Sequence, residues 1–238
     1  PVASHRGDMV DFPIGPELLA GVERIARERD VTVPMVLQAA LVVALQHLGA
    51  GDDIALGSTI AGRTDDDLAD LVGFFVNTWV LRADLSGSPS FTRLLGQVQD
   101  KALAAYDNQD APFERLVEAL NPERSTAYHP LFQTMFTWDD DAWIDLDIPG
   151  LTGRLEVLST PTAKFDLEFN YFSDPGGAGL RCYLEYATDL FDRKTAEDIT
   201  DRYVRVIREL VADPEKPVGL VDVLGEGERE LVLGEFGG

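Results

Sequence analysis

"KFDLEFNYFSDPGGAGLRCYLEYA", residues 164–187, is the stretch that decides the fold class. Two runs rich in aromatic and large apolar residues flank Asp174-Pro175-Gly176-Gly177, where proline presets one backbone angle and glycine supplies the turn conformations that other residues resist. The reading is two consecutive strands joined by a hairpin turn. Towards the N terminus, "GRLEVLS" (153–159), "LFQTMFTW" (131–138), "FFVNTWVLR" (74–82) and "DIALGSTI" (53–60) have the same strand-like character. Strands that follow one another late in a chain do not fit a strictly alternating parallel sheet. They point to an α/β protein of the two-layer α+β kind, a mixed sheet with antiparallel pairs covered by helices.

Five segments carry the helical period that supplies that cover. "GPELLAGVERIARERD" has Pro16 at a first helical position and repeats Leu18, Leu19, Val22, Ile25 and Ala26 on one face. A second helix, from about Val33 to Leu48, follows Thr32 as cap, is apolar nearly all round and stops at Gly49, which predicts a buried core helix. Ser90 caps a third, with Phe91, Leu94, Leu95, Val98 and Ala102 as its stripe. A short helix is expected from Ala111 to about Leu120, and a long one from about Lys194 to Ala212 with Ile199, Tyr203, Ile207, Leu210 and Val211 inward and "DPEKP" as its stop. The tail, "VGLVDVLGEGERELVLGEFGG", reads as a strand-like piece and a Glu-rich amphipathic piece, the composition of a linker.

The chain has 238 residues, with 20 Lys and Arg against 42 Asp and Glu, a formal charge of −22. Such a surface repels a polyphosphate backbone, so nucleic acid is excluded as a partner class. A single cysteine, Cys182, rules out an internal disulfide framework, fits a reducing, cytoplasmic setting and sits in a strand where packing is its expected role. "MVLQAALVVALQHL" (35–48) is too short, and too polar at Gln38 and Gln46, for a membrane span. The first residues carry no start methionine, which suggests a cut from a longer chain.

Catalytic and metal chemistry find little purchase. The acidic runs "RTDDDLAD" (63–70) and "TWDDDAWIDLD" (137–147) lack the alternating acids, glycine and distant Glu of a hard-cation loop. His5, His47 and His129 are scattered without a metal-ligand or nucleophile-base companion at usable spacing. There is no nucleophile elbow, phosphate loop or dinucleotide fingerprint. In "NQDAPFERLV" (108–117), Asp110 is expected to cap the short helix, Pro112 stands where backbone N–H groups have no partner, Glu114 faces the positive helix end, and Phe113, Leu116, Val117 and Leu120 form the stripe. In "VGFFVNTWVLR" (72–82), the Asn77 amide and Thr78 hydroxyl need partners if buried, so Asn77 either bridges neighbouring backbone or points into a cavity; a bridge is the expectation.

"VGFFVNTWVLR", "NQDAPFERLV" and "NPERSTAYHPLFQTMF" (121–136), in that order and spacing, resemble the three C-terminal signature motifs of condensation domains from nonribosomal peptide synthetases. The likeness continues through "SHRGDMVDFPI" (4–14), "GDDIALGSTIAGRTDDDLADLVGFF" (51–75), "AKFDLEFNYF" (163–172) and "LEYATDLFDRKTAEDI" (184–199), nearly the whole chain. The resemblance implies one lobe of a two-lobe, chloramphenicol acetyltransferase-like domain, with a tunnel between the lobes through which phosphopantetheine arms of donor and acceptor carrier proteins bring their thioesters. It implies no cofactor bound directly. The family's paired histidines, followed by Asp-Gly, lie on the first lobe, and no His-His pair occurs here. The chain is thus identified as a second lobe with no catalytic residue of its own and no metal.

By the same resemblance, Gly73, Phe75, Asn77 and Thr78 line the tunnel or support what lines it. Asn108, Gln109, Asp110, Pro112, Phe113, Glu114, Arg124, Pro130 and Leu131 are structural members of the motifs. A floor loop is expected within "GSTIAGRTDDDLAD" (57–70), and a latch between about Trp138 and "AKFDLEF". Residues 1–222 would form the lobe and 223–238 the start of a linker to an adenylation domain. "ERSTAYHPL" departs from the family's usual Arg-Asp-x-Ser-Arg-Asn-Pro-Leu by lacking the Asp and placing Tyr128 and His129 at the second Arg and the Asn, which leaves donor stereochemistry open. The implied partners are the first lobe, two carrier proteins and the adenylation domain, with no nucleic acid or membrane; self-association of an isolated lobe is also expected. Two alternatives remain: a non-catalytic relative that recruits a tailoring enzyme, and part of an epimerization domain.

Overall fold

The computed structural model describes residues 2–63, 66–68, 70–139, 158, 160–173, 179–225, 228 and 234. In chain order the elements are β1 (Gly7–Ile14), α1 (Pro16–Arg29), α2 (Val33–Leu45), β2 (Asp53–Ile60), β3 (Asn77–Asp84), α3 (Phe91–Asp107), α4 (Phe113–Leu120), β4 (Thr134–Asp139), β5 (Leu167–Ser173), β6 (Leu180–Ala187) and α5 (Arg193–Ala212). The strands form one six-stranded sheet in the order β1-β6-β5-β4-β2-β3. β5 pairs antiparallel with β6, as do β1 with β6 and β2 with β3, while β4 runs parallel to both β2 and β5. The expected mixed sheet is therefore present. The turn 174–177 and "GRLEVLS" belong, apart from Leu158, to positions outside the described residues.

Helices α1, α2, α3 and α5 cover one face of the sheet, with α2 in contact with the other three. Every residue from Met35 to Leu45 is buried, which is why α2 can be apolar on all sides; each Leu so buried contributes roughly 1.5–3 kcal/mol. The run Val33–Ala50 has the length and mean hydropathy, 1.6 over 18 residues, of a membrane span, but here it is the core helix with a kink at Gly49 (φ 95°). Thr32 and Ser90 cap α2 and α3 by accepting from Met35 N and Arg93 N. A buried relay crosses the core: Tyr171 OH donates to Tyr203 OH (2.9 Å), which donates to the Leu37 carbonyl (3.0 Å).

Three expectations are corrected. β1 falls on "GDMVDFPI", where no strand was expected: Val10, Phe12 and Ile14 are buried in alternation with exposed Asp11 and Pro13, a short signal that Asp and Pro, both poor strand formers, obscure; as an edge strand it tolerates a proline that cannot donate to a ladder. Helix α4 begins at Phe113 rather than Ala111, since the residue before a proline is pushed out of helical geometry, and Pro112 itself holds the extended cap position (φ −62°, ψ 139°). The strand-like start of the tail is a 3₁₀ turn, Val218–Leu220, with Val218 buried.

Candidate functional site

Asn77, the first residue of β3, ties the first motif to the second. Its amide nitrogen donates to the carbonyls of Gln109 (3.0 Å) and Ala111 (2.7 Å). Its amide oxygen accepts from Thr78 N (2.8 Å) and from Phe113 N (3.3 Å). Two carbonyls on one side and two N–H groups on the other fix which way the amide faces. The expected bridge is thus the observed one, and it corrects a further expectation, the Asp110 cap: no side chain within the α4 stretch caps that helix. Asp110 is exposed; the first N–H of α4 is satisfied from 36 residues upstream by Asn77. Asn108 closes the preceding helix by donating to Ala104 O (2.8 Å), and Glu114 stands in the first turn of α4 as expected.

The ring of Phe113 carries the connection into the third motif. It packs on His129 (5.4 Å) and Phe132 (6.0 Å); His129 lies 4.1 Å from Phe132, and Phe165 closes the cluster at 5.5 and 5.4 Å from those two rings. Phe132 in turn lies on the strand itself, because a Cβ at Gly57 would fall 2.3 Å from its ring. The cluster covers part of the sheet face opposite the four helices. Burial there lowers the pKa of the His129 imidazole, opposed by the backbone of Phe132.

Cavities open on both sides of this cluster. One, of about 540 Å³, is lined by Ile60, Asn77, Thr78, Gln109, Leu116 and Leu131 among others, and is largely apolar. The other, about 940 Å³, lies against the N-terminal residues 2–6, with His129, Pro130, Lys164, Asp166 and Asp189 in its wall; burial raises the Asp166 carboxyl. Of the motif residues, Asn77, Thr78, Asn108, Gln109 and Leu131 meet at the smaller cavity and Pro130 at the larger. Gly73, Phe75 and Arg124 line neither; Arg124 is exposed on its loop.

The open sheet face also carries a pair of carboxylates that no sequence motif announces. Glu168 of β5 and Glu185 of β6 are register partners. Burial raises both carboxyls; Thr137 Oγ1, 3.1 Å from Glu168, and Lys164 oppose this. Tyr183, stacked on Phe172, is pushed up to about 12 by burial and by Glu168, Glu185 and Asp139. On the other face, burial drives the Cys182 thiol far above its ordinary range, so the cysteine is packed and inert, as its strand context suggests. No group of His, Cys, Asp and Glu able to hold a metal occurs among the described residues.

The family model for condensation domains matches residues 1–233. The chain is a member of the condensation-domain family. Its sequence is 50% identical over 232 residues to a probable non-canonical nonribosomal peptide synthetase, CymA, of Salinispora arenicola (strain CNS-205), covering 98% of this chain and 3% of that protein. It is 46% identical over 237 residues to a dimodular nonribosomal peptide synthase of Bacillus subtilis (strain 168), covering 98% of this chain and 10% of that one. Among solved structures, the X-domain from teicoplanin biosynthesis superposes with a TM-score of 0.84 at 28% identity, over 94% of this chain and 51% of that chain. The four-domain synthetase holo-AB3403 gives 0.86 at 23% identity, over 94% and 18%. The first condensation domain of the CDA synthetase gives 0.76 at 21%, over 92% and 48%.

The chain thus has the fold of condensation domains and spans about half the length of the X-domain and CDA structures. In this chain the three motif stretches meet in space, since Asn77 bonds the Phe113 backbone and the Phe113 ring packs on His129 and Phe132. Sequence reasoning missed Gly57 and Phe132 as members of this assembly, although a glycine inside an apolar strand run signals a close approach.

Proposed function

We propose that this chain is the second lobe of a domain that forms amide bonds between carrier-bound thioesters in nonribosomal peptide synthesis, in the cytoplasm. The observation that carries the reading is the half-length match: 94% of this chain, with a complete sheet of its own, corresponds to 51% of the X-domain structure. The other half supplies the catalytic histidine. The acceptor amine attacks the donor carbonyl, a C–N bond forms, and the donor's phosphopantetheine thiol leaves as the C–S bond breaks. This lobe contributes tunnel wall at Asn77 and Thr78, a floor loop within 57–70, a latch between Trp138 and Ala163, and half of each carrier docking surface. Residues from 223 lead to an adenylation domain.

A second reading is supported by the 28% identity to the teicoplanin X-domain, which has also been solved in complex with OxyB. On that reading the lobe recruits a tailoring enzyme and makes no bond. Donor and acceptor substrates loaded on carrier proteins, offered to this chain and to the two-lobe protein, separate the readings. Amide from the two-lobe protein alone is the expected result. Amide from this chain by itself would overturn the first reading, and a two-lobe protein that makes none but binds a tailoring enzyme would establish the second.

A further inference from the structure

The segment between β2 and β3 is built around Arg63. At its neck, Gly62 takes a left-handed conformation (φ 66°), and a Cβ there would fall 2.0 Å from the Phe75 carbonyl oxygen, so the incoming and outgoing backbones touch. The Arg63 guanidinium donates to the carbonyls of Leu68 and Leu71 and lies over the Phe75 ring at 4.3 Å from its centroid. Phe75 in turn covers Gly73, where an added Cβ would lie 2.8 Å from the ring. One side chain therefore ties down both limbs of the loop and its inward aromatic. What it turns outward is apolar: Val72 and Phe74 are 104% and 91% exposed, flanked by half-exposed Leu71 and Val76.

Large apolar side chains held out at full exposure mark a surface meant for a partner. The partner here is the other half of the domain, since the solved structures that this chain matches over 94% and 92% of its length continue for about as many residues again. We infer that Arg63 is a positioning residue: by fixing the loop in advance, it presents Phe74 and Val72 as a rigid anchor to the facing lobe. A loop of this length without a core of its own loses conformational freedom on docking, and a fork that holds two carbonyls and one ring removes that cost beforehand. Lysine cannot reproduce the planar fork or the stacking. The inference rests on the second-lobe reading above and adds to it the residue through which the loop acts.

The test is a double-mutant cycle in the two-lobe protein, read by amide formation, with hydrogen exchange as an arm independent of chemistry. Phe74→Ala and Arg63→Met are each expected to lower the rate by about tenfold or more, as loss of an anchoring aromatic does. The double variant should be within about twofold of Phe74→Ala alone, because the larger of the two anchors that Arg63 positions is already gone. Exchange at residues 66–68 and 70–76 should quicken in Arg63→Met while the sheet amides stay protected. Losses that multiply, a silent Arg63→Met, or unchanged exchange in the loop would each overturn the inference. If the wild-type two-lobe protein makes no amide, the function proposed above fails, and the exchange arm alone decides whether Arg63 organises the loop.

Discussion

Replacing Asn77 tests whether the first two motifs are joined through one amide. Asn77→Ala removes three bonds to distant backbone, at Gln109, Ala111 and Phe113, besides the local one to Thr78. At 0.5–1.5 kcal/mol net for each, and with water able to reach the carbonyl of exposed Ala111, the expected loss is about 2 kcal/mol. For a chain of this size that lowers the melting temperature by about 4–8 °C. Asn77→Asp sharpens the test, because it keeps both acceptor bonds but turns a carboxylate oxygen towards two carbonyls now 3.0 and 2.7 Å from the amide nitrogen. The repulsion is offset in part by the negative charge near the start of α4, worth about 0.3–1 kcal/mol. The new carboxyl is easier to protonate in the folded state than in the unfolded one, so its penalty is complete above the folded-state pKa. That penalty shrinks as pH falls towards the unfolded value of about 3.9, where a protonated oxygen can donate again. Thermal melts of both variants against wild type from pH 7 to 4, with exchange at the Phe113 amide, give the measurement. A melting temperature within about 1 °C of wild type for Asn77→Ala, or a protected Phe113 amide, would refute the account.

The Glu168–Glu185 pair has raised carboxyls, which oppose folding at pH values above the unfolded pKa. Glu185→Gln is therefore expected to stabilise by about 0.2–1 kcal/mol at pH 7, with the gain fading as pH falls through the raised folded-state pKa and gone below the unfolded value, as urea denaturation at pH 7 and pH 4 would show. Tyr203→Phe strands the buried Tyr171 hydroxyl without its acceptor and should cost about 1–3 kcal/mol, more than Tyr171→Phe, which leaves the bond to Leu37 intact; urea titration of the two variants ranks them. Gly57→Ala drives a methyl into the Phe132 ring and should destabilise by about 1–3 kcal/mol, an effect that Phe132→Leu in the same chain should relieve. The isolated chain is expected to self-associate at high concentration through Val72 and Phe74, so Phe74→Ser should shift sedimentation towards monomer.

The helices were legible because each carries its own period and most carry their own cap; α1, α2, α3 and α5 stand where Pro16, Thr32, Ser90 and the stripe of Ile199, Tyr203, Ile207 and Leu210 put them. The paired late strands were legible for the same reason, since alternation is local. What escaped was decided at a distance. β1 is a strand because β6 offers it a ladder, in spite of two aspartates and a proline. Helix α4 has no cap in its own neighbourhood, so Asp110 attracted a role that belongs to Asn77. The pairing of Glu168 with Glu185 depends on register, which neither strand states alone.

These two kinds of legibility have a common consequence for the site. The face of the sheet that the four long helices cover is apolar and closed, with Val10, Leu56, Leu81, Phe169, Leu184 and the core of α2 all buried. That core is closed by the chain's own described elements. The motifs lie elsewhere, on the opposite face and in the loops that leave β2 and β3, where Asn77, Phe113, His129 and Phe132 complete one another, and where Val72 and Phe74 meet solvent. A substitution in the helical core should therefore be felt as stability, whereas one among the motif residues should be felt as misalignment of the β3–α4 corner and its two cavities. That separation lets the fold rest on its own core while the motif residues stay at the surface, where their geometry can be altered without unpacking the helices.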